Sequence, residues 1–276
     1  MPFKILRGDV DASKFSPDIF PEDSTVVVDN PLYHEDGRKL ILLMFEPEAI
    51  VPVRGPTLEN GHRFHRIYTC DAGVLKAFPD TAVRILGNYT RMTEEEIASV
   101  DVSKKEFKIS FWASSKRGWP LAYGHGLRLN LHLNQNHFPK NCVFYRSEIP
   151  FYDYVVPDIN NNPVLNYENK ASILRDFQYS VTIENSRQEN YFSEKLIDCL
   201  IMKTIPMYWG CPNVSEFFDT TGWIIFEDGR DLLKKINSLD EGHYAKHLDS
   251  VEKNFQEALK YADFYKNFER QARPTP

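Results

Sequence analysis

The clearest change of hydrophobic period along the chain lies in residues 179–210. Apolar and polar residues first alternate, as in a half-buried strand, at Tyr179, Val181 and Ile183. After a polar loop over residues 184–190, apolar residues recur at the spacing of an amphipathic helix that begins near Ser193. A second alternation, over residues 205–209, predicts another strand. The segment is therefore predicted to form a β-α-β unit with parallel strands and a right-handed crossover.

Shorter apolar runs in the first third of the chain predict an N-terminal α/β domain over residues 1–103. Two of these runs, Ser24–Asp29 and Leu40–Phe45, are predicted to be buried strands. The second run is nearly continuous, as is typical of a parallel strand covered on both faces. Thr93 and the three glutamates after it have the pattern of a capped helix start.

The remaining patterns predict a second, C-terminal α/β domain over residues 104–245. It opens with a strand at Phe107–Trp112, passes through a polar loop into a helix that ends at about Asn136, and contains the β-α-β unit described above. Apolar residues at helical spacing then predict a helix over residues 243–271. We expect residues 246–276 to pack back on the N-terminal domain as a C-terminal helix.

Polar side chains collect where the first strand of the β-α-β unit ends and its helix begins. They are Asn185, Arg187, Tyr191, Ser193, Glu194 and Lys195. An open parallel sheet binds ligands at this edge, beside helix N-termini, whose free N–H groups favour phosphate. With Ser193 as the N-cap, Lys195 would add positive charge, and Glu194 could accept hydrogen bonds from ribose hydroxyls. Tyr191 could pack the loop or contact the nucleotide. The predicted ligand is a nucleotide diphosphate.

The residues of this stretch also resemble a known signature. Ile-Glu-Asn-Ser at 183–186, a gap of four residues, Tyr-Phe-Ser-Glu-Lys at 191–195 and Ile-Pro-Met-Tyr-Trp-Gly at 205–210 resemble the donor-binding signature of the α-1,3-fucosyltransferase family, family 10. Its members read roughly FENS, a similar gap, Y-[VIF]-[TS]-E-K, a helix and [VI]-P-[VI]-Y-W-G. The N-terminal half of the chain resembles the family only faintly.

The resemblance implies a GT-B-like α/β fold, with two Rossmann-like domains facing each other across a cleft. The C-terminal domain would bind a nucleotide-sugar donor and the N-terminal domain an oligosaccharide or glycoconjugate acceptor. The implied reaction is an inverting, metal-independent transfer of fucose from GDP-fucose to an acceptor hydroxyl. Two alternatives stay open: a transferase of the same fold that uses UDP-xylose or another UDP-sugar, and a catalytically inactive protein that binds a nucleotide sugar or glycan.

A second group of polar residues follows the predicted strand Phe107–Trp112. Strand, polar loop and helix start occur there in the same order as in the signature, so Lys116, His125 and Arg128 are expected to face the same ligand as Lys195. The family has an arginine in this region that contacts the donor diphosphate. The resemblance therefore implies this role for Arg128, although the spacing differs from the family pattern.

The candidate general base lies in the N-terminal domain. Glu46 and Glu48 directly follow the predicted strand Leu40–Phe45, with Pro47 between them. A base must take the proton of the acceptor hydroxyl, and in the resembled family a glutamate after a strand of the N-terminal domain does so. Glu46 is closer to the strand end and is ranked first. The alternative is that both are ordinary surface carboxylates.

Composition narrows the class of partner. A content of 42% hydrophobic residues supports a substantial core, and a net charge of −6 disfavours nucleic acid, which calls for a basic surface. No apolar run approaches the ~18 residues of a membrane span, and the first residues lack the apolar core of a signal peptide. The four cysteines are widely spaced, as in a reducing compartment. These features favour a cytoplasmic enzyme of the bacterial or viral type, or a form that has lost an anchor.

No metal or other cofactor is expected. Asp9 and Asp11 form a D-x-D pattern, which holds a metal in another class of glycosyltransferase, but they precede any complete β-α-β unit. They are interpreted as a solvated loop. His62 and His65 have a ligand-like spacing without neighbouring cysteine or acidic partners, so they are interpreted as structural.

Overall fold

The computed structural model describes residues 3–6, 10–113, 123–147, 162–166 and 169–273. Within these residues, two entirely parallel β-sheets are flanked by helices. The strands of the first sheet are β1 (Phe3–Ile5), β2 (Ser24–Val28), β3 (Lys39–Met44), β4 (Arg66–Thr69) and β5 (Ala82–Arg84). The strands of the second sheet are β6 (Glu106–Ala113), β7 (Cys142–Ser147), β8 (Val164–Leu165), β9 (Phe177–Ile183), β10 (Ile205–Trp209) and β11 (Ile224–Ile225).

The α-helices connect these strands or follow them. They are α1 (Arg54–Asn60), α2 (Ala72–Ala77), α3 (Glu94–Ala98), α4 (Tyr123–Leu133), α5 (Lys170–Asp176), α6 (Glu194–Ile201), α7 (Gly229–Asn237), α8 (His243–Lys246), α9 (Leu248–Leu259) and α10 (Phe264–Ala272). Among the described residues, none of the helices has the length and apolar character needed to cross a membrane.

The strand order decides where a ligand would bind. The first sheet runs β1-β2-β3-β4-β5, whereas the second runs β11-β10-β9-β6-β7-β8. In the second sheet the chain first moves outward from β6 through β7 to β8. It then returns to the other side of β6 and moves outward again from β9 to β11. The neighbouring pair β6 and β9 is therefore the topological switch point, where open α/β sheets bind ligands at the carboxyl ends of the strands.

The predicted β-α-β unit is confirmed. β9 and β10 pair in parallel, with Tyr179 opposite Ile205 and Ile183 opposite Trp209. Between them α6 begins after Ser193, as the sequence predicts, and every residue from Leu196 to Ile201 is buried. Its end differs slightly from the pattern, because Lys203 turns the chain with a left-handed backbone (φ 52°) before β10. The unit packs on both faces, which explains the long apolar runs of its sequence.

The predicted single helix over residues 243–271 is wrong. The structure has three helices there, α8, α9 and α10, separated at His247 and at residues 260–263. The last break occurs because Asp263 caps a new helix, its side chain accepting a hydrogen bond from the backbone N–H of Lys266. As a result α9 packs on α6, while α10 lies on the first sheet with Phe268 fully buried.

Candidate active site

Two helices begin at the switch point of the second sheet. α6 begins beyond the carboxyl end of β9, and α4 begins beyond that of β6. Gly124, at the start of α4, donates its backbone N–H to the carbonyl oxygen of Asn185 at 3.1 Å. A Cβ atom on Gly124 would lie 1.7 Å from the carbonyl oxygen of Glu184, so only glycine permits this approach. The two helix starts are therefore held against the same strand end.

Asn185 joins two of the predicted donor-binding residues. Its Oδ1 atom accepts a hydrogen bond from Nη2 of Arg128 at 2.7 Å and lies 3.0 Å from Nε2 of His125. One turn of α4 separates His125 from Arg128, so both side chains reach the end of β9 from the same helix face. The structure thus brings together Asn185, His125 and Arg128. Lys116 lies outside the described residues.

The start of α6 is organised by a residue that the sequence pattern does not single out. The carboxylate of Glu184 is completely buried and accepts hydrogen bonds from the backbone N–H of Ser193 at 2.9 Å and from its hydroxyl at 2.6 Å. Burial raises the pKa of Glu184, although the charge of Lys195 opposes that shift. Glu184 therefore holds the N-cap residue Ser193 in place through two hydrogen bonds.

Ser193 in turn contacts the predicted phosphate-binding lysine. Its Oγ atom accepts hydrogen bonds from the backbone N–H of Lys195 at 3.3 Å and from Nζ of Lys195 at 3.1 Å. The Lys195 side chain is 20% exposed, so the ammonium group is held in place but not sealed off from solvent. Glu184, Ser193 and Lys195 form a chain of contacts that places the ammonium group of Lys195 at the first turn of α6.

Glu194 is surrounded by cations. Its Oε1 atom lies 3.2 Å from Nζ of Lys195, and its side chain is only 17% exposed. Burial would raise the pKa of Glu194, but the charges of Lys195, Lys170 and Arg91 outweigh it and lower the pKa to about 2. The carboxylate is therefore ionised at neutral pH. Because a carboxylate can accept several hydrogen bonds, the ribose contact stays a prediction.

Tyr191 is buried beside three carboxylates. Burial and the charges of Glu184, Glu46 and Glu194 raise its pKa well above the ordinary value. Of the two roles that the sequence left open for Tyr191, this environment favours packing of the loop. The influence of Glu46 also shows that the segment after β3 lies close to the signature.

The two candidate bases differ in their surroundings. Glu46 is exposed, whereas Glu48 is half-buried and its Oε2 atom accepts a hydrogen bond from the backbone N–H of Arg54 at 2.8 Å, at the start of α1. The backbone N–H of Glu48 donates to Oε1 of Gln188, inside the signature loop, at 3.2 Å. The segments that follow the carboxyl ends of β3 and β9 are therefore in contact.

The metal-ligand candidates are not brought together. Asp9 lies outside the described residues, and Asp11 caps a short 3-10 helix by accepting a hydrogen bond from the backbone N–H of Ser13 at 2.9 Å. Within the described part of the chain, no group of three or more His, Cys, Asp or Glu side chains is arranged to hold a metal ion.

The comparison with known proteins identifies relatives of the C-terminal part. Residues 155–274, which contain the whole signature, match the family model described as glycosyltransferase family 10 (fucosyltransferase), C-terminal. An alpha-(1,3)-fucosyltransferase, FucT, of Helicobacter pylori is 30% identical over 112 residues, which is 40% of this chain and 23% of that protein. A GDP-fucose protein O-fucosyltransferase 3 of Danio rerio is 24% identical over 108 residues, 39% of this chain and 22% of that protein. The chain thus matches less than a quarter of the length of these relatives.

Solved structures show the same fold over most of the chain. Anabaena HepE in complex with UDP superposes with a TM-score of 0.61 at 10% identity, over 90% of this chain and 77% of that chain. An alpha1,3-fucosyltransferase superposes with a TM-score of 0.51 at 16% identity, over 96% of this chain and 84% of that chain. At such low identity these matches concern the fold alone. The predicted GT-B-like fold is confirmed.

Proposed function

Because its signature-bearing part is family 10 fucosyltransferase-like, we propose that this protein is a glycosyltransferase that transfers fucose from GDP-fucose to a hydroxyl of a glycan acceptor. One observation carries the proposal: the first turn of α6, with Lys195, and the Arg128–Asn185 pair lie together at the topological switch point. That edge is where the fold binds nucleotides, and both groups favour an anion there. The choice of fucose as the transferred sugar rests on the names of the two matching relatives.

The proposed step is a direct displacement at the anomeric carbon with inversion. The bond between the sugar and the diphosphate breaks while the acceptor oxygen forms a new bond and loses its proton. The diphosphate gains negative charge as it leaves, and Lys195, Arg128 and the N–H groups of α6 would stabilise that charge. With these cations no metal ion is required, and the donor is the co-substrate.

Glu46 is the proposed general base. It is exposed at the carboxyl end of β3, on the side of the first sheet that meets the signature loop. Glu48 is the second candidate, and its carboxylate accepts the backbone N–H of Arg54 at the start of α1. Glu46→Gln should abolish transfer while donor binding persists, and Glu48→Gln, whose amide oxygen can still accept the Arg54 N–H, should leave transfer largely intact.

A nucleotide panel tests the donor directly. Purified protein is melted with GDP, UDP, GDP-fucose, UDP-xylose and UDP-glucose in turn. A ligand at 100 times its Kd stabilises the native state by about 2.7 kcal/mol, which is readily visible as a shift in Tm. A selective shift with GDP and GDP-fucose supports the proposal. A shift with UDP compounds alone would identify a UDP-sugar, not GDP-fucose, as the donor. No shift with any nucleotide would refute the proposed function.

A transfer assay separates an enzyme from an inactive binding protein. GDP release from GDP-fucose is followed with a mixed set of oligosaccharide acceptors. Lys195→Ala should reduce turnover about 10²–10³-fold, the usual cost of one lost contact to a developing charge. Lys266→Ala, which removes an exposed lysine on α10, is the matched control. Nucleotide binding without any transfer by the unaltered protein would favour the inactive nucleotide-sugar-binding alternative.

A further inference from the structure

The four-residue gap inside the signature, Arg187 to Asn190, makes contacts with the first sheet. Oε1 of Gln188 accepts a hydrogen bond from the backbone N–H of Glu48 at 3.2 Å, and Nε2 of Gln188 lies 3.8 Å from Sγ of Cys70. Nδ2 of Asn190 donates to the carbonyl oxygen of Cys70 at 3.4 Å. Glu48 follows β3 and Cys70 follows β4, so the gap connects two neighbouring strand ends of the first sheet with β9 of the second.

The gap is also fixed from the side of the second sheet. Asn190 adopts a left-handed backbone (φ 60°), a conformation that asparagine tolerates better than most residues. Its backbone N–H donates to Oδ1 of Asn213 at 2.9 Å, and Nδ2 of Asn213 donates to Oδ1 of Asn190 at 3.1 Å. This reciprocal pair anchors the end of the gap. Gln188 therefore extends towards the first sheet from a fixed base.

The segment that Gln188 contacts carries the proposed general base. Glu46 lies two residues before Glu48, whose backbone N–H donates to Gln188. The residue between them is the buried Pro47, whose ring fixes its backbone φ angle. Restraining the N–H of Glu48 therefore restricts the backbone that carries Glu46. The end of the gap leads directly into Tyr191 and the first turn of α6 with Lys195.

We propose that Gln188 is a positioning residue that sets the distance between the general base in the first sheet and the donor site in the second. The inference rests on the proposed function, and it assigns the gap a role in the transfer step. The contacts described above link Gln188 to the backbone of Glu48 and to the thiol of Cys70. Gln188 acts through the backbone of Glu48, and an error of about 1 Å in the placement of a reacting group can cost about 10²-fold in rate.

Three substitutions test the proposal. Gln188→Met keeps the length of the side chain but removes its acceptor, and should lower kcat about 10–100-fold. The Kd of GDP should stay the same, because Lys195, Arg128 and Asn185 keep their contacts. Glu189→Ala is the matched control, since its exposed side chain belongs to the same gap, and it should leave kcat unchanged. Gln188→Glu retains an acceptor for the Glu48 N–H and should recover most of the lost rate.

The pH profile tests separately whether position 188 lies close enough to Glu46 to affect its ionisation. Gln188→Glu places a negative charge near the segment of Glu46, which should shift the acidic limb of the kcat profile to higher pH. A Gln188→Met variant as active as Glu189→Ala, or one that loses GDP affinity by the same factor as kcat, would overturn the proposal. If Gln188→Met does not fold, an unshifted acidic limb in Gln188→Glu overturns it instead. Absence of transfer in the unaltered protein would refute the proposed function itself.

Discussion

Asn in place of Asp198 should destabilise the protein strongly, because Asp198 is the buried partner of a buried lysine. The Asp198 side chain is fully buried on α6, and its Oδ2 atom lies 2.8 Å from Nζ of Lys170, which is 7% exposed. Oδ1 accepts hydrogen bonds from the hydroxyl of Thr90 at 2.7 Å and from the backbone N–H of Arg91 at 2.9 Å. The substitution keeps the size of the side chain and an oxygen for these two donors, but removes its charge.

The expected loss of stability arises because the charge of Lys170 remains buried in the variant. Burial alone would lower the pKa of Lys170, but the charges of Asp198 and Glu194 raise it above its ordinary value, so the ammonium group stays charged. Breaking a buried ion pair on one side costs 3–5 kcal/mol. Because Glu194 still attracts Lys170 in the variant, we expect a loss near the lower end, about 3 kcal/mol. That corresponds to a fall in Tm of ~6–12 °C for a chain of this size.

A double-mutant cycle measured by urea unfolding isolates the pair. Lys170→Met should cost about as much as Asp198→Asn, whereas the double variant should recover most of the loss, because neither charge is then left alone. Glu257→Gln, which breaks the partly exposed Glu257–Lys260 pair, is the control and should change the free energy of unfolding by less than ~1 kcal/mol. A loss below ~1 kcal/mol in Asp198→Asn, or single losses that add in the double variant, would refute the reasoning.

Further predictions concern the helix starts and one buried lysine. Ser193→Ala should cost about 1–2 kcal/mol of stability and weaken GDP binding, while Ser193→Thr should restore both in melting and binding assays. Gly124→Ala should abolish GDP binding, because the new methyl group meets the Glu184 carbonyl oxygen, whereas Gly126→Ala meets no atom within 4 Å and should be neutral or stabilising. Burial lowers the pKa of Lys105 to about 7, while the unfolded chain keeps this proton up to a pH of about 10.4. The unfolded state therefore binds more protons between these values, and the free energy of unfolding should rise from pH 7 to 9, less so in Lys105→Met.

The β-α-β unit could be predicted from the sequence because its hydrophobic period changes twice within a few residues. The period of two over β9 and the helical period over α6 both follow from burial against the rest of the second sheet. Ser193 as the N-cap, and the polar cluster after β9, follow from the same local chemistry. The prediction of a single helix over residues 243–271 failed because the hydrophobic period does not change where the helices are separated. The apolar residues of this region keep a helical period although α9 packs on α6 and α10 packs on the first sheet.

The roles of Glu184 and Gln188 could not be predicted, because they depend on residues distant in sequence. Glu184 stands at the start of a polar loop and has the pattern of an exposed residue. It is buried because Gly210, on the neighbouring strand end, leaves space for its side chain, which would lie 2.6 Å from an added Cβ. Gln188 lies in a stretch with no periodicity, and its partners belong to the other sheet. Local pattern indicates which residues are polar, but not which polar residues the second sheet encloses.

The position of α10 has a consequence for how the chain acquires its structure. Phe268 is fully buried among Phe15, Phe20 and Tyr68, so the hydrophobic core of the first sheet includes a residue from the last helix. During synthesis, β1 to β5 leave the ribosome long before this phenylalanine does, and the apolar face that it covers stays exposed until then. Contacts of such large sequence separation form slowly. The sheet that begins the chain should therefore be among the last parts of the protein to become protected from proteases.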